Sequence, residues 1–508
     1  MSAATRQLTM WSALEEALDN QVGATYTIDD HALTLVDVHR RAEVLAERLR
    51  TVGVGSGDRV LIAAGARAEW VALFFAVLRL GAIIVPLNTR ERADGLRHVI
   101  GKSAPGFVVT VDPEDPLDGA VGWQVLELAG VQDDQGIRLN EGSLRIHRRA
   151  GDAGARTAST TGEQPAIVLF TSGSTGRPKG AVLRQSPALR AAATTYSSLE
   201  LESQDVMFSP LPFHHAGGLF TALLVPLVAG ASSVVQSRFE AKTAVAMMKH
   251  YVCTATIAHQ PHWVEYMQTG LPRSIVKALT LAPPVTNAQV EKQLGVRLIS
   301  PYGMTETHLS GTVARLSDDA DIRLNTVGSP MPNVEMTVVD VETGEPVARG
   351  AVGEVLLGGD CIMNGYLDEP ELTRDAIDPR GRYRTGDLGF VDERGCLRLV
   401  GRRKEIVRVG GENVSPAEVE DTLLRHPGIA QAVVVGRPDP RLGEVCVAVI
   451  QATDPALAAD DVFAWCVERL ARFKVPREVR FVTSWPMSGP GKIARAEVRD
   501  QVVGSVTS

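Results

Sequence analysis

Residues 34–88 switch repeatedly between two periodicities, and this restricts the fold more than any other feature of the chain. A helical period runs through "VDVHRRAEVLAERLR" and a short apolar run follows in "DRVLIAA". A second helical period covers residues 70–80, and a second apolar run ends in "GAIIVPLN". Parallel strands need a long crossover, usually a helix, and strands covered on both faces lose their polar alternation. The alternation therefore predicts parallel βαβ units.

The same pattern returns between residues 206 and 299. There "TALLVPLVAGASSVVQ", "AKTAVAMMKHYVCTATIAH" and "VRLISPYG" read as helix-turn-strand, helix-strand and strand-loop. From about residue 325 to 400 the runs become short and glycine-punctuated ("VEMTVVDVETG", "VGEVLLGG", "CLRLVG"), which predicts an antiparallel β-rich subdomain. The polar stretch over residues 112–162 is weakly periodic and is expected to be exposed. At "GRRKEIVRVGGENVSPAEVE" the composition turns sharply charged before a new α/β unit begins. Ser415 is expected to cap the next helix, with Pro416 at its first position and Glu418 completing a capping box. A boundary just after Arg402 leaves about a hundred residues, a usual size for an independent domain.

The stretch "LFTSGSTGRPKG" (residues 169–180) puts three glycines, four hydroxyl side chains and one lysine into twelve positions. Small residues let backbone N–H groups converge on an anion, and hydroxyls with a lysine add donors, so the stretch suits phosphate. An ordinary polar loop is the alternative. The apolar run "PAIVLF" feeding the loop and Lys179 at its far end favour phosphate. It is not a Walker loop: counting from Gly173, Pro178 stands where the second glycine belongs.

With 52 Lys and Arg against 60 Asp and Glu, a net charge of −8 and no long basic run, nothing points to nucleic acid or an anionic membrane surface. Cys253, Cys361, Cys396, Cys446 and Cys466 lack metal-site spacing and suit reduced thiols in a cytoplasmic protein. The most lipid-like stretch, "VALFFAVLRLGAIIVPL", spans only 17 residues and contains Arg79, Gly81 and Pro86. It reads as a buried helix, a turn and a buried strand.

Five segments complete the picture: residues 171–180, "LPFHHAGG", "SPYGMTETH", "YRTGDLG" with "GRRKE", and "PMSGPGK". In this order and spacing, over about residues 10–500, they resemble the adenylate-forming family of acyl-CoA synthetases, stand-alone adenylation domains and firefly-type luciferases. In character the chain is similar to bacterial aryl- or acyl-CoA ligases. The resemblance implies an α/β fold with a large N-terminal domain, residues 1–402, of αβαβα-type parallel-sheet subdomains plus a small β-barrel-like subdomain. A small mobile α+β C-terminal domain, residues 403–508, would follow a hinge near Lys404.

The resemblance also implies roles. Thr171, Ser172, Gly173, Ser174, Thr175, Gly176 and Lys179 would hold the β- and γ-phosphates of ATP. Tyr302, with Gly303 and Met304, would lie against the adenine, Thr305 on the α-phosphate, and Glu306 on Mg²⁺. These assignments suit an aromatic face, a hydroxyl donor and a hard carboxylate ligand; a strand-ending turn with a solvated Glu306 is the alternative. Asp387 and Arg402 would contact the ribose, although Thr-Gly-Asp alone reads as a β-turn. Lys492 would reach from the small domain to the carboxylate and α-phosphate, and its acetylation would remove that charge. His215 would gate or line the acyl site, with His214 in a place usually aromatic; a neutral packed histidine is the alternative. Gly410 and Gly411 in "VGGEN" would let the pantetheine arm of coenzyme A pass, and Phe473, Lys474 and Arg477 would contact its nucleotide.

The expected reaction is the ligation of a carboxylic acid to CoA through acyl-AMP and pyrophosphate, with ATP, Mg²⁺ and coenzyme A. A thiolation enzyme using preformed acyl-AMP, a carrier-protein loader and a non-catalytic nucleotide-binding scaffold are the alternatives, and a homodimer is left open. Two departures from the family pattern are "LTLAPPV", with Leu281 and Ala282 where a Gly-Ala pair is usual, and "VLRQSPA", which lacks a Thr-His pair. The expected acyl pocket, formed by Ala216, Gly217, His259, Trp263, His308 and Leu309, mixes small, apolar and aromatic residues. That mixture favours a bulky hydrophobic, even aromatic, monocarboxylate.

Overall fold

The computed structural model describes residues 8–20, 23–91, 93–111, 123–128, 144–149, 161–171, 178–489 and 492–504. Two large sheets occupy the first part of the chain. One is seven-stranded, in the order Arg297–Ile299, Lys277–Leu281, Ala255–His259, Val206–Ser209, Ser232–Val235, Thr25–Ile28, His31–Thr34. Every pair in it is parallel except the last.

The other sheet is eight-stranded and has a parallel centre built from Pro165–Thr171, Ile83–Pro86, Arg59–Ala63 and Phe107–Val111. Antiparallel strands extend both its edges. Two of these, Trp123–Leu128 and Leu144–Arg149, fall inside the polar stretch expected to be exposed. Trp123–Leu128 is an edge strand with one partner, but Leu144–Arg149 lies between two, with Ile146 and His147 buried, so the expected exposure does not hold there: ladder pairing supplies what apolar periodicity did not signal.

The helix Ala68–Arg79 is buried from Ala68 to Leu78 except at Glu69. Apolar residues all round a helix mean burial on every side, and this accounts for the lipid-like composition: among the described residues, no helix is long and apolar enough to cross a membrane. Trp70 packs against Phe74 and Phe213, joining this helix to the "LPFHH" segment.

The β-rich region is a four-stranded antiparallel sheet of Val334–Val339, Gly353–Gly359, Tyr383–Val391 and Leu397–Arg402. After the short turn Arg403–Glu405 comes a five-stranded sheet of Val407–Val409, Glu412–Val414, Ile429–Asp439, Gly443–Ala452 and Glu478–Phe481. Helices Pro416–Leu424, Ala459–Val467 and Arg495–Gly504 accompany it, and it has apolar cores of its own. Pro416 does open its helix, but the expected capping box does not form. The Ser415 hydroxyl donates to Val400 O across the region boundary at 2.6 Å, and Glu418 pairs with Lys474. Tertiary partners outcompeted the local cap.

Candidate active site

Parallel strands release their loops at one edge, where ligands bind in open α/β sheets. Thr171 ends the strand Pro165–Thr171, and its register partner Lys179 begins Lys179–Arg184. The glycine-rich segment thus bridges two adjacent strand ends; Ser172, Gly173, Ser174, Thr175 and Gly176 themselves lie outside the described residues. At its far root, His98 Nε2 donates to Pro178 O at 2.9 Å.

The "SPYGMTETH" segment follows Arg297–Ile299, at the edge of the other large sheet. It folds back on itself: Tyr302 and Thr312 bridge, Leu309 N donates to Met304 O, and Thr305–Thr307 make one 3₁₀ turn. Gly303 is required by this reversal, since a Cβ there would lie 2.5 Å from Leu309 C. His308 and Leu309 take left-handed backbone, costly for residues with side chains. The His308 ring holds the turn: Nδ1 donates to Cys361 O at 2.7 Å, and Nε2 accepts from Arg184 N at 2.8 Å.

Those loops bring the expected nucleotide residues together. Thr171 Oγ1 donates to Glu306 Oε1 at 3.3 Å. Tyr302 OH donates to Asp387 Oδ2 at 2.8 Å, and Arg402 Nε lies 2.9 Å from Asp387 Oδ1. Asp387 and Arg402 are register partners on adjacent strands, so the ladder itself sets their separation. Gly386 turns with φ +70°, and its N–H donates to the buried Glu354, which also pairs with Arg403. Burial raises the Asp387 carboxyl above its ordinary pKa, while the Arg402 charge and the Tyr302 hydrogen bond act the other way.

Two residues with no expected role join the cluster. Tyr366 OH donates to Glu306 Oε1 at 2.9 Å, Tyr383 OH lies 3.1 Å from Tyr366 OH, and Lys179 Nζ sits 5.5 Å from the Tyr366 ring centre. Burial above all raises both phenol pKa values, so both stay protonated and able to donate. Tyr383 opens the quoted "YRTGDLG", but Tyr366 lies in "NGYLD", which has no distinguishing pattern.

Glu306 is also a fit for Mg²⁺. Among the described residues, no group of three or more acidic, histidine or cysteine side chains gathers to cage an ion. Mg²⁺ ordinarily takes one or two carboxylates and fills its other positions with water and phosphate oxygens, which a single carboxylate beside Thr171 suits.

The expected acyl residues are more dispersed. His215 is exposed and precedes the three-residue helix Ala216–Gly218, where Ala216 is buried. His214 has a buried Nε2 without a hydrogen-bond partner among the described residues, and burial pushes its pKa down to about 3. His259 ends the strand Ala255–His259, and its backbone N–H donates to His262 Nδ1. Trp263 and His308 are fully buried with their polar atoms engaged, the Trp263 indole N–H donating to Thr280 Oγ1. Any contribution of theirs to a pocket is one of shape. Leu281 is 42 % exposed at the strand end, and the Ala282 carbonyl accepts from Asn287 Nδ2.

In the last region, Gly410 (φ +60°) and Gly411 (φ +91°) turn the chain between paired Val409 and Glu412. Two consecutive positive φ angles make this tight hairpin a glycine position on conformational grounds alone. Phe473 packs on the core, Lys474 Nζ bonds both oxygens of Glu418, and Arg477 is exposed. Lys492 pairs with Gly489 in a short hairpin.

The AMP-binding enzyme family matches residues 14–367, and the AMP-binding enzyme C-terminal domain matches residues 418–492. Indoleacetate–CoA ligase of Aromatoleum aromaticum is 33% identical, with 91% of each chain covered. Medium-chain fatty-acid–CoA ligase of Escherichia coli is 32% identical over 96% of this chain and 88% of its own. ATP-bound MatB from Rhodopseudomonas palustris superposes with a TM-score of 0.80 at 25% identity, over 97% of this chain and 99% of its own.

Proposed function

From the premise that the chain belongs to the AMP-binding enzyme family and is an acid–thiol ligase, we propose that it joins a bulky hydrophobic or aromatic monocarboxylic acid to coenzyme A. ATP supplies the driving force, with acyl-AMP as the intermediate and pyrophosphate and AMP as products. The observation that carries this reading is the convergence of Thr171, Glu306, Tyr302, Asp387 and Arg402, drawn from three sheets, at the loop edge.

In the first step the acid's carboxylate attacks the α-phosphorus of ATP. Both reactants are anionic, so fixed positive charge and donors must offset their repulsion, and removing one such contact commonly costs on the order of 10²–10³ in rate. Asp387 accepts hydrogen bonds from the ribose hydroxyls, Arg402 adds a second contact, and Tyr302 presents its ring to the base. Thr171, the glycine-rich segment and Lys179 hold the departing pyrophosphate. Thr305 donates to the α-phosphate. Glu306 would hold Mg²⁺, which offsets phosphate charge when bound. Lys492 approaches the carboxylate and α-phosphate for this step.

In the second step the thiol displaces AMP. The chain divides at residues 402/403, and rotation in the turn Arg403–Glu405, with Lys404 as the pivot, withdraws Lys492 and brings the Gly410-Gly411 turn to the site. Phe473, Lys474 and Arg477 meet the CoA nucleotide, which requires Lys474 to leave Glu418. Ala216, Gly217 and His215, with His259 and Leu309, bound the acyl group. No carboxylate, lysine or arginine side chain stands among them to pair with a charged substrate tail, and this supports an apolar acid.

Pyrophosphate release across a panel of carboxylic acids, with and without CoA, tests the proposal. Release with apolar aromatic or medium-chain acids, and acyl-CoA only when CoA is present, is the expected result. ADP as product, or turnover confined to dicarboxylates or amino acids, overturns it.

A further inference from the structure

Glu306 is 8 % exposed and its Oε1 accepts two hydroxyl donors, Thr171 at 3.3 Å and Tyr366 at 2.9 Å. A phenol has one hydrogen. Since Tyr366 gives its own to the carboxylate, its oxygen must accept the Tyr383 hydrogen across their 3.1 Å separation. The bonds therefore run one way, from Tyr383 to Tyr366 to Glu306. Among the described residues, nothing donates to Glu306 Oε2, so the carboxylate is pinned by one oxygen and presents the other.

The same Tyr366 ring lies beneath Lys179 Nζ at 5.5 Å, within the range of a cation–π contact. One side chain thus touches, through its hydroxyl, the carboxylate and, through its ring face, the cation at the end of the glycine-rich segment. Its backbone is held as well: Tyr366 N donates to Thr373 Oγ1, and Tyr366 is the register partner of Ala181.

We infer that Tyr366, backed by Tyr383, is a positioning residue that orients Glu306 Oε2 toward a divalent cation and sets Lys179 beside it. This inference rests on the reading of Glu306 and Lys179 proposed above. Partners that orient a metal-ligating side chain commonly contribute about 10–100-fold in metal affinity.

Mn²⁺ binding in the presence of a non-hydrolysable ATP analogue, read from the free-Mn²⁺ electron paramagnetic resonance signal, tests it on the full-length protein. Tyr366→Phe removes the hydroxyl and keeps the ring. It should raise half-saturating Mn²⁺ by about tenfold while leaving the affinity for the analogue without metal unchanged. Tyr366→Leu should weaken both, because the Lys179 contact goes as well. Tyr383→Phe, which leaves the bond to Glu306 in place, should give a smaller shift in Mn²⁺ alone and serves if the Tyr366 variants fail to fold. Glu306→Gln separates the two ideas. If it shifts Mn²⁺ binding while Tyr366→Phe and Tyr383→Phe do not, the inference falls and the reading of Glu306 stands. If Glu306→Gln leaves Mn²⁺ binding unchanged, both fall.

Discussion

Asp387 and Arg402 face each other as cross-strand partners, the Arg402 Nε 2.9 Å from Asp387 Oδ1, on the last ladder before the chain turns into its C-terminal region. Tyr302 from another sheet completes the group by donating to the second carboxylate oxygen. A buried acid is thus held through both its oxygens by two partners, at the point where the proposed function puts the ribose.

That placement opposes stability and binding. Burial raises the Asp387 carboxyl above its ordinary 3.8. An acid raised on folding adds stability below its ordinary value, and the contribution is lost as the pH rises through the folded value. Asp387→Asn cannot ionise, so the wild type should lose thermal stability relative to the variant from about pH 4 upward. The variant's KM for ATP should rise about tenfold or more through loss of a charged acceptor. Melting curves between pH 4 and 8 check the first point; a wild type that gains on the variant with rising pH would show that the Arg402 pair outweighs burial.

Lys492→Ala should lower pyrophosphate exchange by about 10²–10³ while conversion of supplied acyl-AMP and CoA to thioester stays near wild type. Measuring the two half-reactions separately checks this. Equal losses in both would remove Lys492 from the first step.

Gly411 has room around it, with no atom within 4 Å of an added Cβ, so only its φ of +91° resists substitution. Gly411→Ala should cost about 1–2 kcal/mol in stability from backbone strain. It should also slow thioester formation from supplied acyl-AMP more than adenylation. Chemical denaturation and the same pair of half-reaction assays separate the effects, and unchanged thioester formation would place the thiol path elsewhere.

The paired glycines of "LPFHHAGG" should respond differently. A Cβ on Gly218 would lie 2.1 Å from Pro212 O, a backbone atom, whereas one on Gly217 would meet only Leu211 Cδ1 at 3.1 Å. Gly218→Ala should destabilise the protein by about 1–3 kcal/mol through overpacking. Gly217→Ala should fold normally and shift the preferred acid toward smaller ones. Denaturant midpoints and the acid panel measure both, and an unaltered acid profile for Gly217→Ala would take that residue out of the pocket.

Much of this was legible in the chain itself. The alternation over residues 34–88 carried the parallel strands Arg59–Ala63 and Ile83–Pro86, because a period of 3.6 followed by a continuous apolar run is a local property. The glycine-punctuated runs likewise reported the antiparallel sheet that bears Asp387. The resemblance carried by motif order over nearly the whole length implied one group of Thr171, Tyr302, Glu306, Asp387 and Arg402, and the structure puts Thr171 on Glu306 and both Tyr302 and Arg402 on Asp387.

What the chain could not announce was the choice of partner among groups far apart in it. Ser415 has every local feature of a helix cap, yet its hydroxyl is turned to donate to Val400 O across the folded boundary instead of accepting from the first turn of its helix. His308 reads as a pocket residue until both ring nitrogens are found on backbone groups 53 and 124 positions away. Tyr366 has no motif at all, and meets Glu306 across 60 positions. Periodicity and motif spacing are set by near neighbours along the backbone, so sequence determined most of the elements and supplied candidates for the site, though not Tyr366 or the strands Trp123–Leu128 and Leu144–Arg149. Long-range hydrogen bonds depend on which strand ends pack side by side, and only the tertiary structure decided those.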